Sequence, residues 1–398
     1  MAFDNPINLV LFDKDDKVLT PVLNPVSIVQ NFEAHDFNYI AAMVDIHDAA
    51  IRDEVMGRWA AGELIQYQVS GRFGTDTGDL NSIYAYDQGG GEFSFYGRSH
   101  KEIMKSVLGF PQPENKNPST QTQTHKKYSG SALHIVRSVL QDNFVNRMGE
   151  KMRFQTGNLG NSFDVDFRFD NIHRHLYEDS FDRGGIDLGS KGNIIFSITR
   201  DFAKREYVLT AREPVRHERM IEVQSNLLER WQFTAERAEV DRLIIGGHGE
   251  MLDRQFIERS HDKLRHRRFR REGFTENTNP ETNVKEPTNA QLLEALGKWA
   301  DSKLPEYGEK ASVVGQLIES DMFYLGNPIQ LGDWVRIGID QNIDLGEQQI
   351  EKAIATWTRD EGYSVTLTKP EDTETTEAAT LRRVVKILND ISTASRRR

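Results

Sequence analysis

Two stretches 270 residues apart read alike: Gly62-Glu-Leu-Ile-Gln-Tyr-Gln-Val69 and Gly332-Asp-Trp-Val-Arg-Ile-Gly-Ile339. Each is a glycine, an acid and then an alternating apolar run, and each is followed by a second strand-like run, Glu92 to Gly97 and Gly362 to Thr368. Period-two alternation buries one face of a strand and wets the other, which suits antiparallel sheets curled into small barrels better than a parallel sheet covered on both sides. The chain is therefore expected to be mainly β with α+β insertions, built on two related antiparallel β-barrels. Duplicated barrels with inserts serve assembly more often than catalysis, although a fold alone does not decide function.

At 398 residues the chain has room for two or three domains. Its hydrophobic content of 37% against 28% charged residues, with a mean hydropathy of −0.59, points to an elongated, loop-rich subunit. A net charge of −11 opposes sequence-independent binding of nucleic acid by the whole chain, because a polyanion is repelled at long range. There is no cysteine, hence no disulfide, thiolate metal site or cysteine nucleophile, and stability has to come from packing and oligomerisation. The N-terminus lacks the basic and apolar regions of a signal peptide, and no apolar run approaches the roughly 18 residues needed to span a bilayer. Cytoplasmic assembly without stable membrane insertion is the expectation.

Strand pattern covers residues 6–12, 17–30 and 38–46, with Asp13-Lys-Asp-Asp16 as a hairpin turn. Ser99-His-Lys-Glu102 reads as a capping box opening a helix that stops before Pro111, closing a first barrel domain over 1–110. Residues 112–127 are a polar connector. A helix over about 130–147 (Leu133, Val136, Leu140, Phe144, capped by Ser129 or Ser131) and an alternating strand over 163–169 make an α+β insertion at 111–187. Strand pattern resumes at 193–199, 206–210 and 239–245. The second barrel is assigned to 188–250 and 309–368, the latter holding runs at 311–318, 333–339, 350–358 and 362–368. Between them, 251–308 is an insertion with a basic loop and a helix whose capping box is Thr288-Asn-Ala-Gln291 and whose buried stripe is Leu292, Leu293, Leu296, Trp299 and Ala300. A linker and a terminal helix with Leu381, Val384, Val385, Leu388 and Ile391 on one face take up 369–398.

Asp13-Lys-Asp15 at the end of an apolar strand resembles the nucleophile and acid of haloacid-dehalogenase-type phosphohydrolases, but Asp16-Lys17 departs from that pattern, and a polar hairpin explains it better. His173 and His175, two apart on an expected strand and near Asp164, Asp166, Asp170 and Asp182, suggest a metal site but lack a third ligand at diagnostic spacing. Gly246-Gly-His-Gly-Glu250 lacks the Lys-Ser/Thr of a phosphate-binding loop and reads as a tight turn. The cationic stretch within 261–271 carries Lys263, Arg265, Arg267, Arg268, Arg270 and Arg271, and is read as a contact with a partner or with a lumen. No catalytic constellation, cofactor site or metal site is identified from spacing.

The order of elements resembles the hub-type minor tail proteins of long-tailed phages that infect actinobacteria, members of the tail-associated and baseplate-hub-like group. The resemblance rests on Val69 to Arg98 running into the Ser99 helix and Pro111, Tyr128-Ser-Gly-Ser with Ala132-Leu-His-Ile-Val-Arg and Gln141-Asp-Asn143, Gly246-Gly-His-Gly-Glu with Arg254, the Thr288 helix, Leu331-Gly-Asp-Trp-Val and the strand at Gly362. It spans most of residues 60–368. It implies a structural virion protein without enzymatic activity: a homotrimer whose barrels alternate in a pseudo-sixfold ring at the tail tip, capping the distal tail tube. It also implies contacts with a distal tail protein ring, a tape measure protein and other minor tail or fibre proteins, and opening for the passage of phage DNA. A carbohydrate-binding module using Trp59, Trp231, Trp299, Trp334 or Trp357, and a phosphohydrolase using Asp13 and Asp15, are the alternatives.

Overall fold

The computed structural model describes residues 7–368 except 24, 46, 72–73, 87–91, 178–187, 190, 223–227, 237–238, 250–252, 261–270, 279, 281–286, 308–309, 318–323, 326–327 and 341–342. In chain order its main elements are β1 (Asn8–Asp13), β2 (Val18–Pro21), β3 (Ser27–Glu33), β4 (Tyr39–Asp45), α1 (Ala49–Ala60), β5 (Ile65–Gly71), β6 (Gly74–Tyr86), β7 (Glu92–Ser99) and α2 (Ile103–Ser106). There follow β8 (Lys126–Ser131), α3 (Ala132–Leu140), β9 (Met152–Phe154), β10 (Ser162–Phe167), α4 (Ile172–Tyr177), β11 (Ile195–Asp201), β12 (Glu206–Arg212), β13 (Arg216–Glu222) and β14 (Leu228–Glu236). The last group is β15 (Arg242–Gly246), β16 (Phe256–Ser260), β17 (Glu272–Glu276), α5 (Asn289–Lys303), β18 (Lys310–Leu317), β19 (Trp334–Asp340), β20 (Ile343–Gln349), β21 (Lys352–Thr358) and β22 (Gly362–Thr368).

Eleven strands make one antiparallel sheet in the order β14-β18-β22-β21-β3-β4-β7-β6-β5-β1-β2. It curls into a half-barrel, and the expected fold class, mainly β with α+β insertions, is the one adopted. Bulges between Leu11 and Phe12 and between Leu80 and Ser82 supply local twist for the curl. One face of the sheet packs Leu9, Leu11, Ile28, Ile40, Tyr67, Phe93, Phe95 and Trp357 into a core that α1 closes with Ile51 and Val55. Strands β3 and β4 are buried on both faces, with Val29, Ala41 and Met43 on the far side. They sit mid-sheet, so neither face is wetted.

Gly62 and Gly332 both take positive φ, 69° and 89°, as turn glycines ahead of their strands. A Cβ at 332 would stand 2.5 Å from Ile195, whereas nothing lies within 4 Å at 62. The two strands then part company. β5 sits between β6 and β1 in the large sheet, while β19 lies in a three-stranded sheet between β13, its parallel partner, and β20. The sequence likeness thus marks a shared local turn and strand placed in different sheets.

The Ser99 capping box does not form. Ser99 Oγ accepts from Asn38 N–H at 2.9 Å, Ser99 N–H donates to Asn38 C=O, and Glu102 pairs with Arg98, so the segment is one 3-10 turn leading into the short α2. By contrast α3 is capped as expected by Ser131, which accepts from His134 N–H, and it buries Leu133, Val136 and Leu140. Alternation in β10 turns Val165 and Phe167 inward, where they meet α3 and the β11–β12 hairpin in a second core. The strand ends at Phe167, so Phe169 leaves that face and its ring packs against Phe110.

A further lobe is inserted between paired neighbours. Glu236 at the end of β14 faces Lys310 at the start of β18, and Glu239 N–H donates to Tyr307 C=O just beyond. The lobe is the sheet β16-β15-β17 with α5 on one face, where Leu243, Ile245, Leu296 and Ala300 are buried together. The Thr288–Gln291 capping box is present in full. Leu293 is a correction to the expected stripe: it is 41% exposed, at the edge of the face that buries Leu292, Leu296 and Ala300. At the glycine segment, expected to be a tight turn, Gly247 N–H donates to Gln255 C=O and a Cβ at Gly247 would lie 2.4 Å from Leu296, while Glu250 lies outside the described residues. Residues 369–398, with the expected terminal helix, lie outside the described residues.

Leu296→Asp puts an uncompensated charge in this core and is expected to cost about 3 kcal/mol or more, whereas Leu293→Asp should stay within about 0.5 kcal/mol. Urea midpoints of the two variants check the assignment.

Candidate functional site

The charged side chains that the fold buries gather along the seam where the β11–β12 hairpin and the α2–α4 layer meet the large sheet. At one end, the Asp13–Lys17 turn is built by Asp13, whose Oδ1 accepts from the N–H groups of Asp15 and Lys17. Asp16, at φ 62°, turns its carboxylate inward onto Arg200, with both bonds at 2.7 Å and side chains only 3% and 14% exposed. Burial alone would raise the Asp16 pKa; the bonds and charge of Arg200 outweigh it, and the carboxyl is held below its ordinary value. The guanidinium also lies over the Tyr207 ring at 4.6 Å.

Beside this pair runs a line with the residue order of a catalytic triad. Thr77 Oγ1 is 2.8 Å from His100 Nδ1, and His100 Nε2 is 3.2 Å from Asp79 Oδ1. Thr77 is wholly buried, and its hydroxyl oxygen already accepts from Arg200 N–H at 2.7 Å. A hydroxyl so enclosed has no substrate to attack. The line holds β6, the Ser99 turn and β11 together.

In the middle of the seam Lys101, 6% exposed, donates to Ala34 C=O at 2.7 Å and sits 5.1 Å from the Phe196 ring. Burial lowers its pKa to about 8, against the pull of Asp36, Glu33 and Asp76. Lys105 pairs with Asp36 at 2.7 Å, and Lys352 of β21 pairs with Glu33 of β3 at 2.6 Å. His35 contacts Gln349, and His173 lies 3.7 Å from Asp36 and stacks on Tyr177. Burial holds both imidazoles at about 4, hence neutral at pH 7; the Lys101 charge adds to the effect at His35, and Asp36 opposes it at His173. Asp76 is pushed up to about 6 by burial, partly countered by the Asn38 amide.

Lys101 and Asp76 border a cleft of about 560 Å³ between the sheet and the β11–β12 hairpin, floored by Phe32, Ala34, Ile195, Phe196 and Leu331. At its far side Asp333, 1% exposed, accepts from Arg212, His217, Val215 N–H and Gln330 N–H. Burial raises the Asp333 pKa, and these four bonds together bring it below the ordinary value.

His173 and His175 lie on α4, not on a strand, and His175 is buried with its ring 4.5 Å from that of Phe167. No group of three or more metal-ligating side chains occurs among the described residues. Lys263, Arg265, Arg267, Arg268 and Arg270 lie outside the described residues. Arg271 is exposed, and its backbone is fixed by Asp241 through both N–H and C=O. The seam has no signature in sequence, since Asp16 and Arg200 stand 184 positions apart with no local signal joining them.

A family model described as Siphovirus ReqiPepy6 Gp37-like protein matches residues 80–368. No curated protein matches the chain. Among solved structures it is similar to a tail protein from Neisseria meningitidis MC58, with 11% identity, a TM-score of 0.51, and coverage of 92% of this chain and 97% of that one. It is also similar to the 43 kDa tail protein of prophage MuSo2 from Shewanella oneidensis, with 11% identity, a TM-score of 0.52, and coverage of 91% and 97%.

Asp16→Asn leaves Arg200 buried without its counter-charge and is expected to cost roughly 3 kcal/mol, while Asp13→Asn with Asp15→Asn should change stability by less than about 0.5 kcal/mol; chemical denaturation distinguishes them. A pH series tests the histidines. Their folded pKa of about 4 lies below the unfolded 6.5, so their contribution is complete above pH 6.5 and is lost as pH falls from 6.5 towards 4. Asp76 has the opposite sign, gaining stability as pH falls through 6 towards 3.8. His35→Gln with His173→Gln should therefore flatten the acid loss of stability between pH 6.5 and 4.

Proposed function

The chain belongs to the Siphovirus ReqiPepy6 Gp37-like protein family and has the fold of phage tail proteins, and from that premise we propose that it is a structural subunit of the tail-tip hub. In this reading it caps the distal end of the tail tube, joins it to tail-tip proteins and opens to let DNA leave. The observation that carries the reading is the half-barrel sheet itself, which unites strands from residue 8 to residue 368, is braced between β3 and β21 by the Lys352–Glu33 pair, and is joined to the β11–β12 hairpin by the buried Asp16–Arg200 pair. A part that bears load between a tube and its tip needs that continuity. Asp16, Arg200 and Lys101 are engaged between layers, and Thr77, the residue best placed to act as a nucleophile, is sealed from solvent.

We assign the protomers to a homotrimer in which barrel domains at 1–110 and at 188–250 with 309–368 alternate around the axis, with 111–187 and 251–308 as insertions and 369–398 as a terminal extension. Its neighbours would be a distal tail protein ring, a tape measure protein and other minor tail or fibre proteins, in phages of actinobacteria assembled in the host cytoplasm. Lys263, Arg265, Arg267, Arg268, Arg270 and Arg271 then meet acidic surfaces of adjoining subunits, because a cationic ring around the exit would retain DNA through its phosphates. The carbohydrate-binding alternative needs a platform of exposed aromatics; Trp357 is buried, Trp299 and Trp334 are half-covered, and Trp59, 37% exposed, has Met56 and Leu64 rather than a second of these tryptophans beside it among the exposed large apolar residues.

Electron cryomicroscopy of tail tips carrying a tagged copy should show three copies at one level. Six copies at that level, or a tag remote from the tip, would overturn the hub assignment.

A further inference from the structure

Helix α1 presents two apolar strips, and the described fold uses one. Ile51 and Val55, one turn apart, are buried in the core of the large sheet. Ala49, Met56 and Ala60 share another face, flanked by Trp59 and by Leu64 beyond the helix. All five are exposed, Met56 at 41%, Trp59 at 37% and Leu64 at 43%. A methionine and a tryptophan side by side in water form a surface that gains from being covered.

The rim of this strip is acidic. Between Asp45 and Glu63 there are five acids and two arginines, and both arginines are already held, Arg58 by Glu54 and Glu63, Arg52 by Asp53. The complementary chemistry is in the same chain. Residues 378–398 carry six basic residues against one acid, Asp390, and place Leu381, Val384, Val385, Leu388 and Ile391 at helical spacing. Reach is sufficient. β22 ends at Thr368, three strands across the sheet from β4, which leads into α1. Three strand spacings of about 4.8 Å and about eight residues along the strands put the two points roughly 30 Å apart. Residues 369–380, extended, span about 40 Å.

We propose that residues 381–391 dock on the exposed strip of α1 of the same chain, their apolar residues on Met56 and Trp59 and their basic residues towards the acidic rim. The free subunit thereby covers a surface through which copies would otherwise associate. This goes beyond the tail-tip assignment and holds or fails independently of it.

Because the chain has no cysteine, one introduced pair reports the contact. Full-length protein carrying Trp59→Cys and Leu388→Cys, and separately Met56→Cys and Leu388→Cys, is oxidised mildly and read by non-reducing electrophoresis and peptide mass. The expected result is an intrachain disulfide, at least about fivefold more abundant than in Tyr84→Cys with Leu388→Cys, where Tyr84 is exposed on β6. Arg382→Glu, Arg383→Glu and Lys386→Glu together, or 1 M salt, should lower that yield by about fivefold. Disulfides only between chains would make a second copy the occupant and overturn the proposal. Yields no higher than the Tyr84 control would overturn it as well.

Discussion

One antiparallel ladder holds the large sheet together. Seven consecutive pairs, from Ser27 opposite Thr358 to Glu33 opposite Lys352, join β3 to β21 across more than 300 residues of sequence. Every strand from β1 to β7 lies on one side of it, and β14, β18 and β22 lie on the other. The ladder is closed at one end by the Lys352–Glu33 ion pair, a short charge-assisted bond between side chains that are largely withdrawn from water. β3 and β4 lose their wet face because layers cover them on both sides. The β11–β12 hairpin, α2 and α4 form the covering layer around the β3–β4 turn, and their contacts with it bury Lys101, His35 and Asp36 in part or whole.

Buried charges of this kind add little net stability, because desolvation offsets most of the attraction. Their value here is in register. Asp16 meets Arg200 through two bonds while Arg200 N–H is held on Thr77 and the guanidinium lies 4.6 Å from the centre of the Tyr207 ring. Asp333 likewise gathers four donors from three segments, which fixes β12, the start of β13 and the Gln330 turn relative to one another. Apolar packing would tolerate sliding at these joints; bidentate and multidentate bonds do not.

Much of the secondary structure was legible in sequence because it is set locally. Ser131 and Thr288 cap their helices through bonds to residues three positions on, and the Asp13 turn is built on its own backbone. The failures share one cause, tertiary competition. Ser99 has the same local chemistry as Thr288, yet Asn38 of the sheet takes both its N–H and its hydroxyl. For His173 and His175 a spacing of two fits a strand face and carries no information about the α4 turn that follows Asn171. Strand β20 carries no strand signal, since Asp344, Gly346 and Glu347 break its apolar pattern, and pairing with β19 supplies what the pattern lacks. The seam around Lys101 was illegible for a different reason: its members come from β3, the Ser99 turn, α4 and β21, and no window of sequence contains them together.

The ladder between β3 and β21 also sets an order of events at the ribosome. When β3 and β4 have emerged, the strand that will cover the outer edge of β3 is still some 300 residues from being made, which at about 5–20 residues per second is a wait of roughly 15–60 s. Through that interval a seven-residue edge, six of whose residues are buried in the finished sheet, stands with its backbone unpaired, a template for any other extended chain nearby. Copies translated from one message are the nearest such chains, so the yield of correctly folded subunit is tied to how crowded its polysome is.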